Sequence, residues 1–177
     1  MTSRSVILVA FSVCALALPA MAETVKVDLS AVTADGVGAV LGALTLSDST
    51  GGLKISYDLH GLPPGAHGLH VHANGTCAPG PNKDGKIIAA GAAGGHFDPT
   101  GKGKHLGPMG DGHMGDLPLI SADATGAAKG ELLAPHLMSI SALRGHVVML
   151  HAGGDNYSDD PAPLGGGGAR IACGPIN

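Results

Sequence analysis

Residues 53–59 alternate strictly: Leu53, Ile55, Tyr57 and Leu59 fall on one side, Lys54, Ser56 and Asp58 on the other. That period of two belongs to a strand with one buried face. No stretch of the chain carries sustained helical periodicity, so strands must build its core. Further strand candidates are 25–29 (VKVDL), 40–46 (VLGALTL), 67–72 (HGLHVH), 117–123 (LPLISAD), 126–133 (GAAKGELL), 146–151 (HVVMLH) and 169–173 (ARIAC). Thirty glycines and twelve prolines fill the connections, and Asp35-Gly36 and the Ser-Thr-Gly-Gly at 49–52 are turn signals. Many short strands joined this way predict an all-β antiparallel sandwich or barrel. Two connections, 73–114 and 152–168, are too long for hairpins. Loops of that length in a compact domain carry function or lack order. The first holds three histidines, which points to function.

The chain has 177 residues, enough for one domain with a sizeable core. Residues 1–22 read as a secretory signal, leaving 23–177 as the domain. Arg4 supplies a positive start, 6–18 an apolar run, and Ala20-Met21-Ala22 a small-residue cleavage site. A membrane anchor is the alternative, but the run is shorter than the ~20 residues a spanning helix needs. After cleavage two cysteines remain, Cys77 and Cys173. In an exported chain that suggests one disulfide, with two free thiols as the other reading. The formal net charge is −4, and there is no basic block for nucleic acid and no basic amphipathic helix for a membrane surface. Beyond the leader, Tyr57, Phe97 and Tyr157 are the only aromatic residues. The core must therefore be aliphatic, and no platform for stacking bases exists.

Seven metal-capable side chains between residues 70 and 151 sit at spacings that fit two linked metal ions: His70, His72, His96, His105, His113, Asp116 and His151. Imidazole suits copper and zinc, and one carboxylate can complete a tetrahedral zinc site. His70 and His72 are two apart on a strand, so they point to the same face and form a two-nitrogen claw. His151 ends another predicted strand and could supply a third nitrogen, His96 a fourth. His105, His113 and Asp116 lie on the long loop, where the spacing from 113 to 116 lets one tight turn aim both side chains at a single ion. One more nitrogen would close that site. The count is one histidine short unless His96 serves both ions. An imidazole without ring protons can bridge two metals about 6 Å apart, given metal–nitrogen bonds of roughly 2.0 Å.

The motifs GLHVHANGTC (68–77), AGGHFDP (93–99), GPMGDGHMGDLP (107–118), HAGGDNYSD (151–159) and PLGGGGARIACG (163–174) occur in this order. Together they resemble the copper–zinc superoxide dismutases, specifically the bacterial exported type, over about residues 24–176. The resemblance implies an eight-stranded antiparallel Greek-key β-barrel, an Ig-like sandwich with two long functional loops; the family is itself a standard example of this architecture. It implies one copper per subunit on His70, His72, His96 and His151. It implies one zinc per subunit on His96, His105, His113 and Asp116, with His96 bridging. It pairs Cys77 with Cys173. Asp155 matches the carboxylate that links a copper histidine to a zinc histidine. Arg170 matches the arginine that attracts the superoxide anion, and His96 the proton carrier of the cycle. The implied location is the periplasm. Lys83 and Lys86 are candidates for outer steering, with ordinary solvated charge as the alternative. Members of this type occur as monomers and dimers, so a homodimer stays open.

Four histidines remain. His67 matches a position that packs beneath the copper ligands and bonds backbone. His60, His136 and His146 read as surface or loop residues. Leu69 stands where the family has phenylalanine, a packing change that leaves the ligands alone. The four glycines at 165–168 read as an ordered turn before Arg170, where close backbone needs small residues, rather than as a flexible linker. GKGKH (101–105) lacks the spacing of a phosphate loop. Two other functions compete with the enzyme: a periplasmic copper or zinc carrier on the same barrel, and a zinc hydrolase. The hydrolase would need an open zinc position, which four protein ligands close. No ligand and no arginine is missing, which favours the enzyme over the carrier.

Overall fold

The computed structural model describes residues 23–137 and 139–177; the expected leader, 1–22, lies outside them. The strands are β1 (Thr24–Thr33), β2 (Gly36–Ser49), β3 (Gly52–Leu59), β4 (Gly65–His67), β5 (Leu69–His72), β6 (Gly80–Pro81), β7 (Ile87–Ile88), β8 (Ile120–Ala122), β9 (Ala128–Ala134), β10 (Val147–His151) and β11 (Arg170–Pro175). Both turn signals operate: the chain reverses at 34–35 and at 50–51, and β1–β2–β3 is an antiparallel meander with Leu46 opposite Ile55. The main sheet runs in the order β5-β10-β11-β1-β2-β3-β9, with every pairing antiparallel. Sequence-distant neighbours such as β3–β9 and β11–β1 give it the crossovers of a Greek key. β4 pairs with β8 in a second ladder, and β6 with β7 in a third. With β4 and β5 taken as one strand interrupted at Gly68, and the two-residue β6–β7 ladder set aside, the described residues form the eight strands expected.

The alternation read in 53–59 decides what is buried. Leu53, Ile55 and Leu59 join Leu29, Leu44, Leu46, Leu69, Val71, Val148 and Leu150 in one aliphatic core, while Lys54 and Asp58 face solvent. Each such side chain contributes about 1.5–3 kcal/mol of burial. Leu69 is fully buried. β10 is buried on both faces. Val148 and Leu150 enter the main core, and Val147 and Met149 enter a smaller cluster with Val32, Ala90, Ala93 and the Cys77–Cys173 bond. That disulfide spans a sequence separation of 96 and ties the long loop to β11, three residues from Arg170. Closing a loop of that length removes roughly 4–5 kcal/mol of unfolded-state entropy in the chain-entropy picture.

Two departures from the expected strands position the site. The 67–72 strand breaks at Gly68 because that residue bonds the second long loop and the end of β10 instead: its amide donates to Gly153 O at 2.8 Å, and its carbonyl accepts from His151 N at 2.9 Å. Expected strand 117–123 shortens to 120–122. The residues just before β8 lie along β5 instead, with Val71 N bonded to Gly115 O at 2.9 Å and Leu117 N to Leu69 O at 3.3 Å. This sets Asp116 opposite His70. On the same strand Phe97 N donates to Val71 O at 2.8 Å, which sets His96 beside His72.

Candidate metal centre

β5 sends Leu69 and Val71 into the core and His70 and His72 to its other face. His151 ends β10, where the pairing with β11 shifts register after Leu150 and sets His151 opposite Arg170. Such irregularities re-aim side chains. The two long loops deliver the rest: 73–114 brings His96, His105 and His113, and 152–169 brings Asp155. All seven expected donors and Asp155 converge, and all but His113 are buried.

Hydrogen bonds fix the tautomer of each ring. His70 Nε2 donates to Asp155 Oδ2 at 2.8 Å, His72 Nδ1 to Gly94 O at 2.9 Å, and His151 Nδ1 to Gly168 O at 3.2 Å. The other nitrogen of each ring is left as a lone pair. The free Nε2 atoms of His72 and His151 face each other at 3.4 Å. Two lone pairs gain nothing from meeting unless a cation lies between them. Among the described residues, the buried side-chain nitrogens and oxygens without a partner are His70 Nδ1, His96 Nε2, His105 Nδ1 and His113 Nδ1. Buried polar atoms are nearly always satisfied, so four orphans on facing rings mark positions for metal.

The donors divide into two sets. Ring nitrogens of His70, His72, His96 and His151 lie within 4.8 Å of one another. Around Asp116, Oδ1 is 2.9 Å from His96 Nδ1 and 3.5 Å from His113 Nδ1, and Oδ2 is 2.9 Å from His105 Nδ1. The His105 nitrogen is that close yet makes no directed hydrogen bond; ring and carboxylate converge on a common point, as two ligands of one ion do. His70 also lies within 4.8 Å of His96, His105 and Asp116. Its outer nitrogen is already bonded to Asp155, however, which leaves its other nitrogen available to the first set, while His113 Nδ1, 3.5 Å from Asp116 Oδ1, stands beside the second. His96 contributes Nε2 to one set and Nδ1 to the other. Three nitrogens and a carboxylate suit zinc, and four imidazoles suit copper.

The rings are electrically poised for this. Burial pushes His96 down to about 4 and His151 to about 3, and lowers His70 and His72 as well. These rings are neutral at pH 7, as a metal ligand must be. His105 goes the other way: burial opposes the charge, but Asp116 and Asp155 outweigh it and raise the ring to about 9. In return, His105 and its neighbouring histidines hold both carboxyls well below the usual range against the cost of burial.

Asp155 links the two sets, with Oδ2 on His70 Nε2 and Oδ1 on His105 Nε2 at 2.7 Å. Gly165 makes room for it: the residue has φ +71°, and a Cβ there would collide with Asp155 Oδ1 and stand 2.8 Å from His105 Nε2. The glycine run before Arg170 is thus an ordered turn. Arg170 is half-buried, and its Nη1 and Nη2 donate to Ala90 O and Gly94 O, each at 2.5 Å. Gly94 O therefore holds both the arginine and His72. No side-chain pattern announces a carbonyl. Lys86 lines one shallow cavity with Arg170, Ile87, Ala89 and Gly168; Lys83 stands outside it. His67 is a clamp, its Nε2 2.7 Å from Pro63 O and its Nδ1 2.8 Å from His151 O. His60 and His136 are exposed as expected. His146 is only half-exposed: its Nδ1 bonds Ala73 O at 2.7 Å and its ring lies 4.3 Å from that of Phe97, so it secures the start of the long loop.

A family profile described as "Copper/zinc superoxide dismutase (SODC)" matches residues 40–176. The chain belongs to the copper/zinc superoxide dismutase family. It is 51% identical over 161 residues to the superoxide dismutase [Cu-Zn] of Brucella abortus biovar 1 (strain 9-941), which covers 91% of this chain and 92% of that relative. It is 49% identical over 170 residues to superoxide dismutase [Cu-Zn] of Escherichia coli (strain K12), covering 94% of this chain and 98% of the relative. The solved copper/zinc superoxide dismutase from Brucella abortus superposes with a TM-score of 0.85 at 50% identity, covering 88% of this chain and all of that one. Among the described residues no helix is long and apolar enough to cross a membrane.

Proposed function

We propose that this chain dismutates superoxide, turning two superoxide ions and two protons into one molecule of oxygen and one of hydrogen peroxide. His70, His72, His96 and His151 hold copper; His96, His105, His113 and Asp116 hold zinc. The observation that carries this reading is the gathering of buried histidine nitrogens and Asp116 into two adjacent groups of donors, with His96 in both and unpartnered ring nitrogens among them. Bound copper supplies one-electron redox chemistry, whereas zinc has none and supplies fixed positive charge.

The chain's own residues do the remainder. His70, His72 and His151 are held in one tautomer each by Asp155 and two carbonyls, so their free nitrogens are preorganised. His96 Nε2 is a buried nitrogen that can hold a proton and pass it to the forming peroxide. Arg170, clamped by two carbonyls beside His72, offers a fixed cation to a small anion. The acidic protein needs such a local positive focus, and this family is a standard example of electrostatic steering. Lys86, on the same cavity as Arg170, adds to it from outside.

The clamped arginine also separates the enzyme from a metal carrier, which has no use for an oriented guanidinium. In metal-loaded protein, Arg170→Ala lowers kcat/KM for superoxide by about tenfold or more while copper and zinc contents stay at wild-type level. Lys86→Gln lowers it by about twofold, and only at low ionic strength. A fully metallated Arg170→Ala protein with undiminished kcat/KM contradicts the role given to the arginine. A wild-type protein that binds both metals and consumes no superoxide returns the reading to a carrier.

The leader features of residues 1–22 and the bacterial relatives support export to the periplasm, where the enzyme would protect envelope components. N-terminal sequencing of protein from the periplasmic fraction is expected to begin at Glu23. A retained Met1 contradicts cleavage.

A further inference from the structure

Asp159 lies on the loop after β10, four residues beyond Asp155, and is exposed. Both of its carboxylate oxygens are nonetheless engaged by backbone amides. Oδ2 accepts from His105 N at 2.9 Å, and Oδ1 accepts from Leu164 N at 3.0 Å. The first amide belongs to a proposed zinc ligand. The second closes the turn 159–164, which delivers Gly165 against Asp155 and the His105 ring. The next two amides of the zinc-binding loop, Leu106 N and Gly107 N, are taken by Asp116 Oδ2 at 3.2 and 3.3 Å. Three successive amides, 105–107, thus end on carboxylates, and the His105 ring ends on a third carboxylate at Asp155. Two of these three carboxylates, Asp155 and Asp159, come from the loop that runs on to Arg170.

We propose that Asp159 is a positioning residue for the zinc site: by clasping the amide of His105 it locks the zinc-binding loop to the loop that leads to Arg170. The role is distinct from that of Asp155, which holds the ring of His105 and not its backbone. Charged acceptors make stronger hydrogen bonds to amides than neutral ones, so a carboxylate is the apt side chain for holding two amides at once. Loss of the clasp frees the His105 backbone and with it the aim of Nδ1. The inference rests on His105 being a zinc ligand.

The test is the rate at which purified, copper- and zinc-loaded protein releases zinc to excess chromogenic chelator. Asp159→Ala releases zinc about tenfold faster than wild type, the scale on which supporting partners of metal ligands act. Asp159→Asn keeps one acceptor oxygen and falls between the two. Asn156→Ala serves as the control: it removes the bonds of Asn156 to Ser158 N and Asp160 O on the same loop without touching His105, and its release rate matches wild type. An Asp159→Ala rate within twofold of wild type overturns the inference, as does an Asn156→Ala rate raised equally, which means general loosening of the loop. The ligand assignment beneath it fails separately, through zinc retained in full by His105→Ala.

Discussion

His96→Ala loses dismutase activity down to background and loses affinity for both metals together. The ring offers Nε2 to the 70/72/151 set and Nδ1 to the 105/113/116 set, and alanine removes both nitrogens at once. Deleting a partner that merely supports a ligand costs roughly 10–100-fold in metal affinity; deleting a shared ligand costs more, and does so twice. The copper set would be left with three nitrogens and no proton carrier, and the zinc set with two nitrogens and a carboxylate. His105→Ala is the contrast, because His105 belongs to one set only: it chiefly depletes zinc. Elemental analysis after dialysis against a chelator measures both. Copper retained at wild-type level in His96→Ala, with zinc alone lost, contradicts the shared imidazole.

Asp155→Ala lowers zinc affinity by about 10–100-fold. Its carboxylate takes the outer nitrogen of His70 at 2.8 Å and of His105 at 2.7 Å, and its Oδ1 also accepts from Tyr157 N at 2.7 Å. Alanine would strand two buried ring N–H groups, each a desolvated donor costing about 1–3 kcal/mol. It would also leave the tautomer of both rings unset. Copper suffers less, since three of its four donors keep other anchors: His72 at Gly94 O, His151 at Gly168 O, and His96 beside Asp116. Competition titration with a zinc chelator reads the effect. An unchanged zinc affinity in Asp155→Ala would mean that His105 is aimed by something other than this carboxylate.

The strands and the donors were legible in the sequence for different reasons. The period of two in 53–59 is a direct imprint of a sheet buried on one side, and Leu53, Ile55 and Leu59 are buried accordingly. Copper and zinc accept few residue types, so seven histidine and aspartate positions stand out in a chain with only three aromatic residues after its leader. What escaped the sequence was backbone. Gly94 O, which steadies both His72 and Arg170, carries no residue identity, and neither do the amides of 105–107. The break at Gly68 could not be seen because it depends on Gly153 and His151, both far along the chain. Asp159 was passed over for a related reason: its partner, the His105 amide, lies 54 positions away and is invisible to any local pattern. His146 read as a surface residue because its acceptor, Ala73 O, lies still further away, 73 positions along the chain.

A crystal structure of the oxidised, metal-loaded protein with anomalous data on both sides of the copper and zinc edges bears most directly on the centre. The expected result is copper and zinc each about 2.0–2.1 Å from a different nitrogen of the His96 ring. A His96 ring bound to one ion alone, with the other ion held elsewhere or absent, contradicts it.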